Sequence, residues 1–270
     1  MNFSVLMSVY DKENPEYLRA SLESILNQTL PPTEIVIVED GPLTPELYAV
    51  LDEYGAKCSM LKRFPQEHNM GLGKALNIGL EACTYDLIAR MDTDDIAMPE
   101  RFERQTAEFE KDPRLDLCGS HVLEFEDSTD NITAKKRVPV TEEEVRQYAR
   151  RRNPFNHPTV MFRRGAVMNA GGYQHAMWCE DYYLWARMLS NGCHARNIDD
   201  YLLYFRAGED VYMRRGGWKY VKSLVSFKWK LYRLGISNFW DFIYSAGIHT
   251  VVGLMPNKLR AMTYGKLLRK

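Results

Sequence analysis

Short, fully apolar runs alternate in the first half of the chain with longer stretches whose apolar positions recur at helical spacing. Residues 3–9, "FSVLMSV", are too short for a helix and read as a buried strand. "NPEYLRASLESILNQ" follows as a helix, with Asn14 at the cap and Pro15 at the first helical position. "TEIVIVED" (33–40) repeats the strand pattern, and Thr44 with Pro45 opens a second helix. "KCSMLKRF" then predicts a strand and "GKALNIGLEAC" a helix. "YDLIARM" predicts a fourth strand, which passes through the aspartates of "MDTDD" into the helix pattern "PERFERQTAEFEK", begun by Pro99. Four strand–helix units in series predict an α/β, mostly parallel sheet flanked by helices on both faces.

Beyond Lys111 the pattern changes. "LDLCGS", "HVLEFED", "PTVMFR" and "YLLYFR" predict strands, "TEEEVRQYARR" carries a capping box of Thr141 with Glu144, and "EDYYLWARMLSNG" is apolar at helical spacing up to Gly192. With no repeat, low-complexity tract or Pro/Gly/Ser-rich linker before it, this half is expected to continue the same domain.

The strand pattern locates candidate chemistry, because open α/β sheets bind ligands at the carboxyl ends of their strands. Val9, Tyr10 and Asp11 end the first strand, Asp40 the second, Asn69 and Gly71 follow the third, and Asp92, Asp94 and Asp95 follow the fourth. In an extended segment alternate residues point the same way at a spacing of roughly 6.5 to 7 Å, so Asp92 and Asp94 can face one point. A hard cation, Mg²⁺ or Mn²⁺, is commonly held by one or two carboxylates plus the phosphate oxygens of a substrate. The plain alternative is a turn whose acids cap the next helix, a role that suits Asp95. Charge favours the first reading: six acids, Asp11, Glu39, Asp40, Asp92, Asp94 and Asp95, gather on one rim, and a metal–nucleotide complex relieves their repulsion. Other nucleotide motifs fail in "HNMGLGKALNIG". Ala75 stands where a P-loop needs Ser or Thr, His68 where it needs its first Gly, and Leu76 where a dinucleotide fingerprint needs its third Gly.

Composition sharpens this picture in two ways. A length of 270 residues at 45% hydrophobic suffices for a full core. Five scattered cysteines without a CxxC pair, and an N-terminus without a signal-peptide pattern, lead us to expect a reduced, cytoplasmic protein. The net charge of −1 conceals an asymmetry, since residues 214–270 carry 12 Lys and Arg against the single acid Asp241. That segment predicts an anionic partner. The acidic body argues against nucleic acid, which leaves a membrane surface.

Taken together and in order, "SVLMSVYDKE", "VIVEDGP", "NMGLGKALNIGL" and "ARMDTDDIAMPERFERQ" resemble the family 2 glycosyltransferases of the GT-A fold. "NPFNHPTVMFRRGAVMNAGGY" and "CEDYYLWARM" are similar to that family's later motifs. The resemblance covers roughly residues 1–206, with a nucleotide-binding half at about 1–111 and an acceptor half at about 112–206, and it leaves 207–270 as a basic helical extension. It implies inverting transfer of a sugar from a nucleotide-diphosphate donor, usually a UDP-sugar, to an acceptor hydroxyl in bacterial surface-polysaccharide assembly, with a polyprenol-linked glycan as acceptor. A dTDP-rhamnose donor remains an alternative, as does an inactive sugar- or membrane-binding homologue, against which the retained carboxylates speak. A nucleotidylyltransferase would need a Gly- and Arg-rich loop after the first strand, where "YDKENPE" stands.

Residue by residue, Asp40 matches the family's base-contacting acid. Asp92 and Asp94 match the DxD pair that meets ribose and the metal-bound diphosphate, Asp94 being the expected metal ligand. Asp181 of "WCEDYYLW" matches the general base, with Glu180 its close competitor. Two departures stand out: the commoner DDGS is here Glu39-Asp40-Gly41-Pro42, and Leu76 replaces a frequent Arg, so Lys74 is the cation left to meet phosphate. His157 is a candidate for phosphate or acceptor contact and Trp178 for stacking on a sugar ring; each has a structural alternative, as a fixed histidine before Pro158 and as a packed aromatic.

In the extension, a helical wheel of residues 218–234 gives two apolar faces. Trp218, Val221, Val225, Trp229 and Tyr232 form one, and Tyr220, Leu224, Phe227, Leu231 and Leu234 the other, with lysines between. The stretch 242–255 falls short of the roughly 20 apolar residues that span a bilayer. Peripheral contact through 207–270 with the inner face of the membrane is expected; the alternative is a helical cap packed on the body.

Overall fold

The computed structural model describes residues 1–207 and 217–254. The first-half strands are β1 (Ser4–Val9), β2 (Glu34–Glu39), β3 (Leu61–Pro65) and β4 (Leu87–Arg90), separated by α1 (Pro15–Leu26), α2 (Pro45–Lys57) and α3 (Leu72–Ala82). All their pairings are parallel, in the order β3-β2-β1-β4. The caps form as expected: Asn14 accepts from the Glu16 N–H and Thr44 from the Leu47 N–H, each with proline opening the helix.

Alternation along the buried strands builds two cores. Val5, Met7 and Val9 face α1, α2 and α4 (Arg101–Lys111), packing with Leu18, Leu22, Leu47, Leu51 and Phe102. Leu6, Val36 and Ile88 face the opposite way, onto Leu76 and Leu80 of α3 and Leu184 and Trp185 of α7 (Glu180–Ser190). A strand buried on both faces can be apolar at every position, which is why β1 and β2 show no period-2 signal in the sequence.

The second half extends the same sheet and mixes its directions. β8 (Met161–Arg163) joins β4 antiparallel. β6 (Leu115–Phe125) lies between β8 and β9 (His194–Arg206), parallel to the latter. "LDLCGS" and "HVLEFED" are thus one strand, bent by irregular pairing near His121. Pro158 and Thr159 fall in a 3-10 turn ahead of β8 because proline donates no ladder hydrogen bond. Three short elements carry too few residues for a period: β5 (Ile96–Ala97), β7 (Ile132–Lys136) and α6 (Arg164–Asn169). The fourth helix starts at Arg101, two residues after Pro99. The capping box on α5 (Glu142–Tyr148) forms with both of its hydrogen bonds.

Two helices follow, α8 (Trp218–Arg233) and α9 (Phe239–Leu254). Of the two expected faces of α8, the one bearing Tyr220, Leu224, Phe227 and Leu231 is buried, with Phe227 and Leu231 packed on Tyr182 and Ala186 of α7. The other meets α9: Trp229 lies edge-on to Phe242, and Gly253 lets Val221 approach where a Cβ would stand 2.5 Å from Val221 Cγ2. Met255, at the end of the expected apolar stretch, lies outside the described residues, as do 208–216. Among the described residues no helix is long and apolar enough to cross a membrane.

Candidate active site

Residues 91–95 leave β4 and are tied at both ends. The Ser21 hydroxyl donates to the Asp92 carbonyl at 2.9 Å, and the Arg206 N–H at the end of β9 donates to Asp95 Oδ1 at 2.8 Å. Pairing of β5 with β9 sets this register, Ile96 opposite Tyr204. The Arg206 side chain then donates from Nε to the Asp94 carbonyl at 3.0 Å while its guanidinium stacks 3.8 Å from the centre of the Tyr17 ring. The Thr93 hydroxyl donates to Glu13. So fixed, Asp92, Asp94 and Asp95 present carboxylate oxygens within 4.8 Å of one another.

Two buried arginines lie behind the cluster. Arg90 is only 1% exposed and ion-pairs with Asp92. Burial disfavours its charge, and the Asp92 carboxylate keeps it cationic. Arg101, fully buried, donates from Nη2 to the Arg90 carbonyl at 2.6 Å and from Nε to Gln105 Oε1 at 3.1 Å; burial pulls it down to about 9. Compensation stops short of the other two acids. Burial, then the charges of Asp92 and Glu13, pushes Asp94 up to about 7. Asp95 is driven well above the carboxylate range by burial and by Asp94, and its Oδ2 has no hydrogen-bond partner. A set of hard oxygen donors with two uncompensated carboxylates and a buried orphan oxygen fits a divalent cation.

The neighbouring strand ends are organised by Asp40. Its two carboxylate oxygens accept from the Met70 N–H at 2.7 Å and the Gly71 N–H at 3.0 Å, fixing the loop that feeds α3. Gly41 permits the contact, with φ +91° and the site of a Cβ 2.7 Å from the Asn69 nitrogen. Lys74 is exposed on the first turn of α3, and Tyr10 and Asp11 are exposed beyond β1. Val9 lies differently from the expectation. Its side chain is in the core, because strand alternation turns it inward, and its carbonyl accepts from the Asp40 N–H.

Glu180 and Asp181 open α7, where a helix N-terminus favours negative charge. Asn153 donates to Asp181 Oδ2 at 2.7 Å, yet burial prevails and raises the Asp181 carboxyl above its ordinary range; Glu180 is raised by burial too, and by Asp181. Gly73 of α3 lies beside Glu180 Cγ, so the acceptor-half motif meets the donor-half helix start. Asn77 fixes this seam by donating to the Tyr173 carbonyl and accepting from the Tyr173 N–H, both at 2.8 Å.

His157 is built into the scaffold. Its Nε2 is 2.8 Å from the Tyr173 hydroxyl, its ring packs near Trp185, and burial and then Arg90 hold it neutral, well below the usual histidine value. Trp178 is 46% exposed with φ 66°, a left-handed backbone rare for a bulky side chain, and one side of its ring meets Tyr220. Arg90, Asn153 and Arg206 escaped sequence reasoning. Of the three only Arg90 left a signal, as a charge at the end of an otherwise apolar strand, where burial demands a partner.

The chain is similar to known proteins over most of its length. Residues 4–174 match Glycosyl transferase family 2. The chain is 45% identical to the amylovoran biosynthesis glycosyltransferase AmsE of Erwinia amylovora, over 98% of each chain. It is 38% identical to the UDP-Gal:alpha-D-GlcNAc-diphosphoundecaprenol beta-1,3-galactosyltransferase of Escherichia coli, over 99% of this chain and 97% of that one. Among solved structures, the mannosyltransferase PcManGT of Pyrobaculum calidifontis, in complex with GDP-Man and Mn²⁺, superposes with a TM-score of 0.63 at 15% identity, over 98% of this chain and 80% of that one. One mixed sheet with an aspartate cluster beyond β4, together with this extent of similarity, leads to one assignment: the chain belongs to glycosyl transferase family 2.

Proposed function

We propose that the protein is an inverting, metal-dependent transferase. It moves one hexosyl or N-acetylhexosaminyl unit from a UDP-sugar to a hydroxyl of a polyprenol-diphosphate-linked glycan, on the cytoplasmic side of a membrane, in surface-polysaccharide assembly. The observation that carries this reading is a pair of carboxylate sets, Asp92-Asp94-Asp95 beyond β4 and Glu180-Asp181 on α7, with the buried Arg90 acting electrostatically on both Asp94 and Asp181. The printed donor and acceptor of the E. coli relative, and the polysaccharide role in the name of AmsE, support it.

Asp94 and Asp92 would hold Mn²⁺ or Mg²⁺, which when bound stabilises the charge of the departing diphosphate. Arg90 orients Asp92 for that purpose through their ion pair. Asp181, steered by Asn153, accepts the proton of the acceptor hydroxyl as its oxygen attacks the anomeric carbon on the face opposite the leaving UDP, which departs with the bonding pair; one displacement inverts the centre. A carboxylate raised by burial is a better match to this proton than an ordinary one. Lys74, exposed at the start of α3, meets phosphate from the solvent side, and Trp178 offers its open face to the acceptor sugar.

The test is a panel of nucleotide sugars, UDP- and dTDP-linked among them, scored for Mn²⁺-dependent thermal stabilisation and hydrolysis. The anomeric configuration of the product is then read by NMR. Stabilisation by UDP-sugars that disappears with EDTA, and inversion in the product, are expected; retention, or donor turnover indifferent to metal, would refute the mechanism.

A further inference from the structure

Helix α9 presents an outer face that the other described residues leave uncovered. Trp240 is 74% exposed, Val251 59%, Tyr244 55%, Phe239 49%, Ile243 46% and Ile248 36%. Positions 240, 243, 244, 248 and 251 fall on one side of a helix, so these side chains form a continuous stripe about 16 Å long at 1.5 Å rise per residue. Isolated exposed apolar residues need no explanation, but a contiguous stripe of this size marks a contact surface.

What the stripe lacks identifies its partner. The only charged residue of α9 is Asp241, and it is turned inward and buried, clasped by Arg150 and Arg151. The apolar face therefore carries no ionised group, while Arg151 stands at its edge and the neighbouring helix and following sequence are rich in Lys and Arg. Arg151 stacks 4.6 Å from the centre of the Tyr244 ring, Lys222 and Arg233 are exposed on α8, and the sequence after Leu254 adds Lys258, Arg260, Lys266, Arg269 and Lys270 with no acid. A bare apolar stripe bordered by cations, with Trp and Tyr among its members, complements the acyl and headgroup boundary of an anionic bilayer. A protein partner would find no charged group on this stripe to specify its register.

We propose that this face of α9 lies flat on an anionic lipid surface and sets the height of the active site above it. The proposal rests on the reading of a lipid-linked acceptor and adds the surface that meets the lipid. The route to the active site is short. Arg150 and Arg151, which hold α9 through Asp241, are followed two residues later by Asn153, whose side chain holds Asp181. A bilayer on the stripe therefore brings its headgroup plane near the segment that positions the proposed general base, where the reactive hydroxyl of a lipid-bound acceptor must arrive. Of the two apolar faces that the sequence wheel gives α8, one packs on α7 and the other meets α9 at Val221 and Trp229, which leaves the outer face of α9 as the exposed stripe.

The test uses the full chain with vesicles of phosphatidylglycerol and phosphatidylcholine, and with vesicles of phosphatidylcholine alone. Cosedimentation with the anionic vesicles is expected, falling by about tenfold or more in partition coefficient in the triple variant Trp240→Ser, Ile243→Ser, Val251→Ser, since each loses apolar surface that the lipid would cover. Trp240→Ser alone, at the most exposed position, should show part of the loss and guards against misfolding. Thermal stabilisation by UDP with Mn²⁺ is measured alongside and should be unchanged in both variants. Vesicle binding equal in wild type and triple variant overturns the proposal. So does a dimer by light scattering that the substitutions dissolve while wild type ignores vesicles, because the stripe then belongs to a second copy. If vesicle binding fails while UDP-sugar hydrolysis persists, the surface alone is wrong; if no nucleotide sugar is bound or turned over, it is the functional reading that falls.

Discussion

At the scale of the residue, the site works through unequal compensation of charge. Arg90 neutralises Asp92, whereas Asp94 and Asp95 are left raised, a combination that costs stability and that the proposed cation would relieve. Asp181 is raised by burial despite the hydrogen bond from Asn153. In the proposed mechanism its carboxylate form is the active base, so kcat/KM should climb with pH through a midpoint above the ordinary aspartate value of about 3.9. Asn153→Ala, which removes a contact that favours the carboxylate, should move that acid limb further up. Asp181→Asn should lower kcat by about 10²- to 10⁴-fold while stabilisation by UDP and Mn²⁺ persists. An equal loss on Glu180→Gln, with Asp181→Asn still active, would transfer the role to the neighbour. The acids themselves were legible in the sequence, because carboxylates at strand ends are a local signal. Their partners were not, because Asn153 and Arg206 reach the site from 28 and 111 positions away from the residues they hold.

At the scale of the element, the junctions between strand and helix matter more than the elements. The turn after β2 and the loop before α3 are in backbone contact at Gly41, and Asp40 bridges them. Gly41→Ala adds a Cβ to a left-handed residue and drives it onto the Asn69 nitrogen. We expect a loss of about 1–3 kcal/mol in thermal or denaturant unfolding, together with weaker UDP binding, since the rearranged loop precedes Lys74. Unaltered stability would show that the loop yields without strain. Helix caps and strand runs were predictable here because they rest on neighbouring residues: Asn14 with Pro15, Thr44 with Pro45, Thr141 with Glu144. The two-residue β5 was not, yet its pairing with β9 closes the aspartate loop.

At the scale of the whole molecule, the α8–α9 hairpin is joined to the catalytic body by Phe227 and Leu231 packed on α7 and by the Asp241 clasp. Burial opposes the Asp241 charge, but Arg151 and Arg150 outweigh it and depress its pKa. Stability from this group is therefore complete above the ordinary aspartate range and is lost as pH falls through the depressed folded value. Asp241→Asn should lower Tm by about 2–6 °C at neutral pH and remove that acid-side loss, with the effect smaller than for a fully buried pair because both arginines are partly exposed. An unchanged Tm would mean that apolar packing alone carries the hairpin. By itself the sequence determined the repeating strand–helix units, the caps, the acidic rim and the basic end of the chain, since each depends on residues close together or on composition. Tertiary structure decided which carboxylates are compensated, that Val9 and His157 belong to the scaffold, and which face of the hairpin is left bare. Those outcomes depend on burial and on partners distant in sequence, and the same residue types would behave otherwise in water.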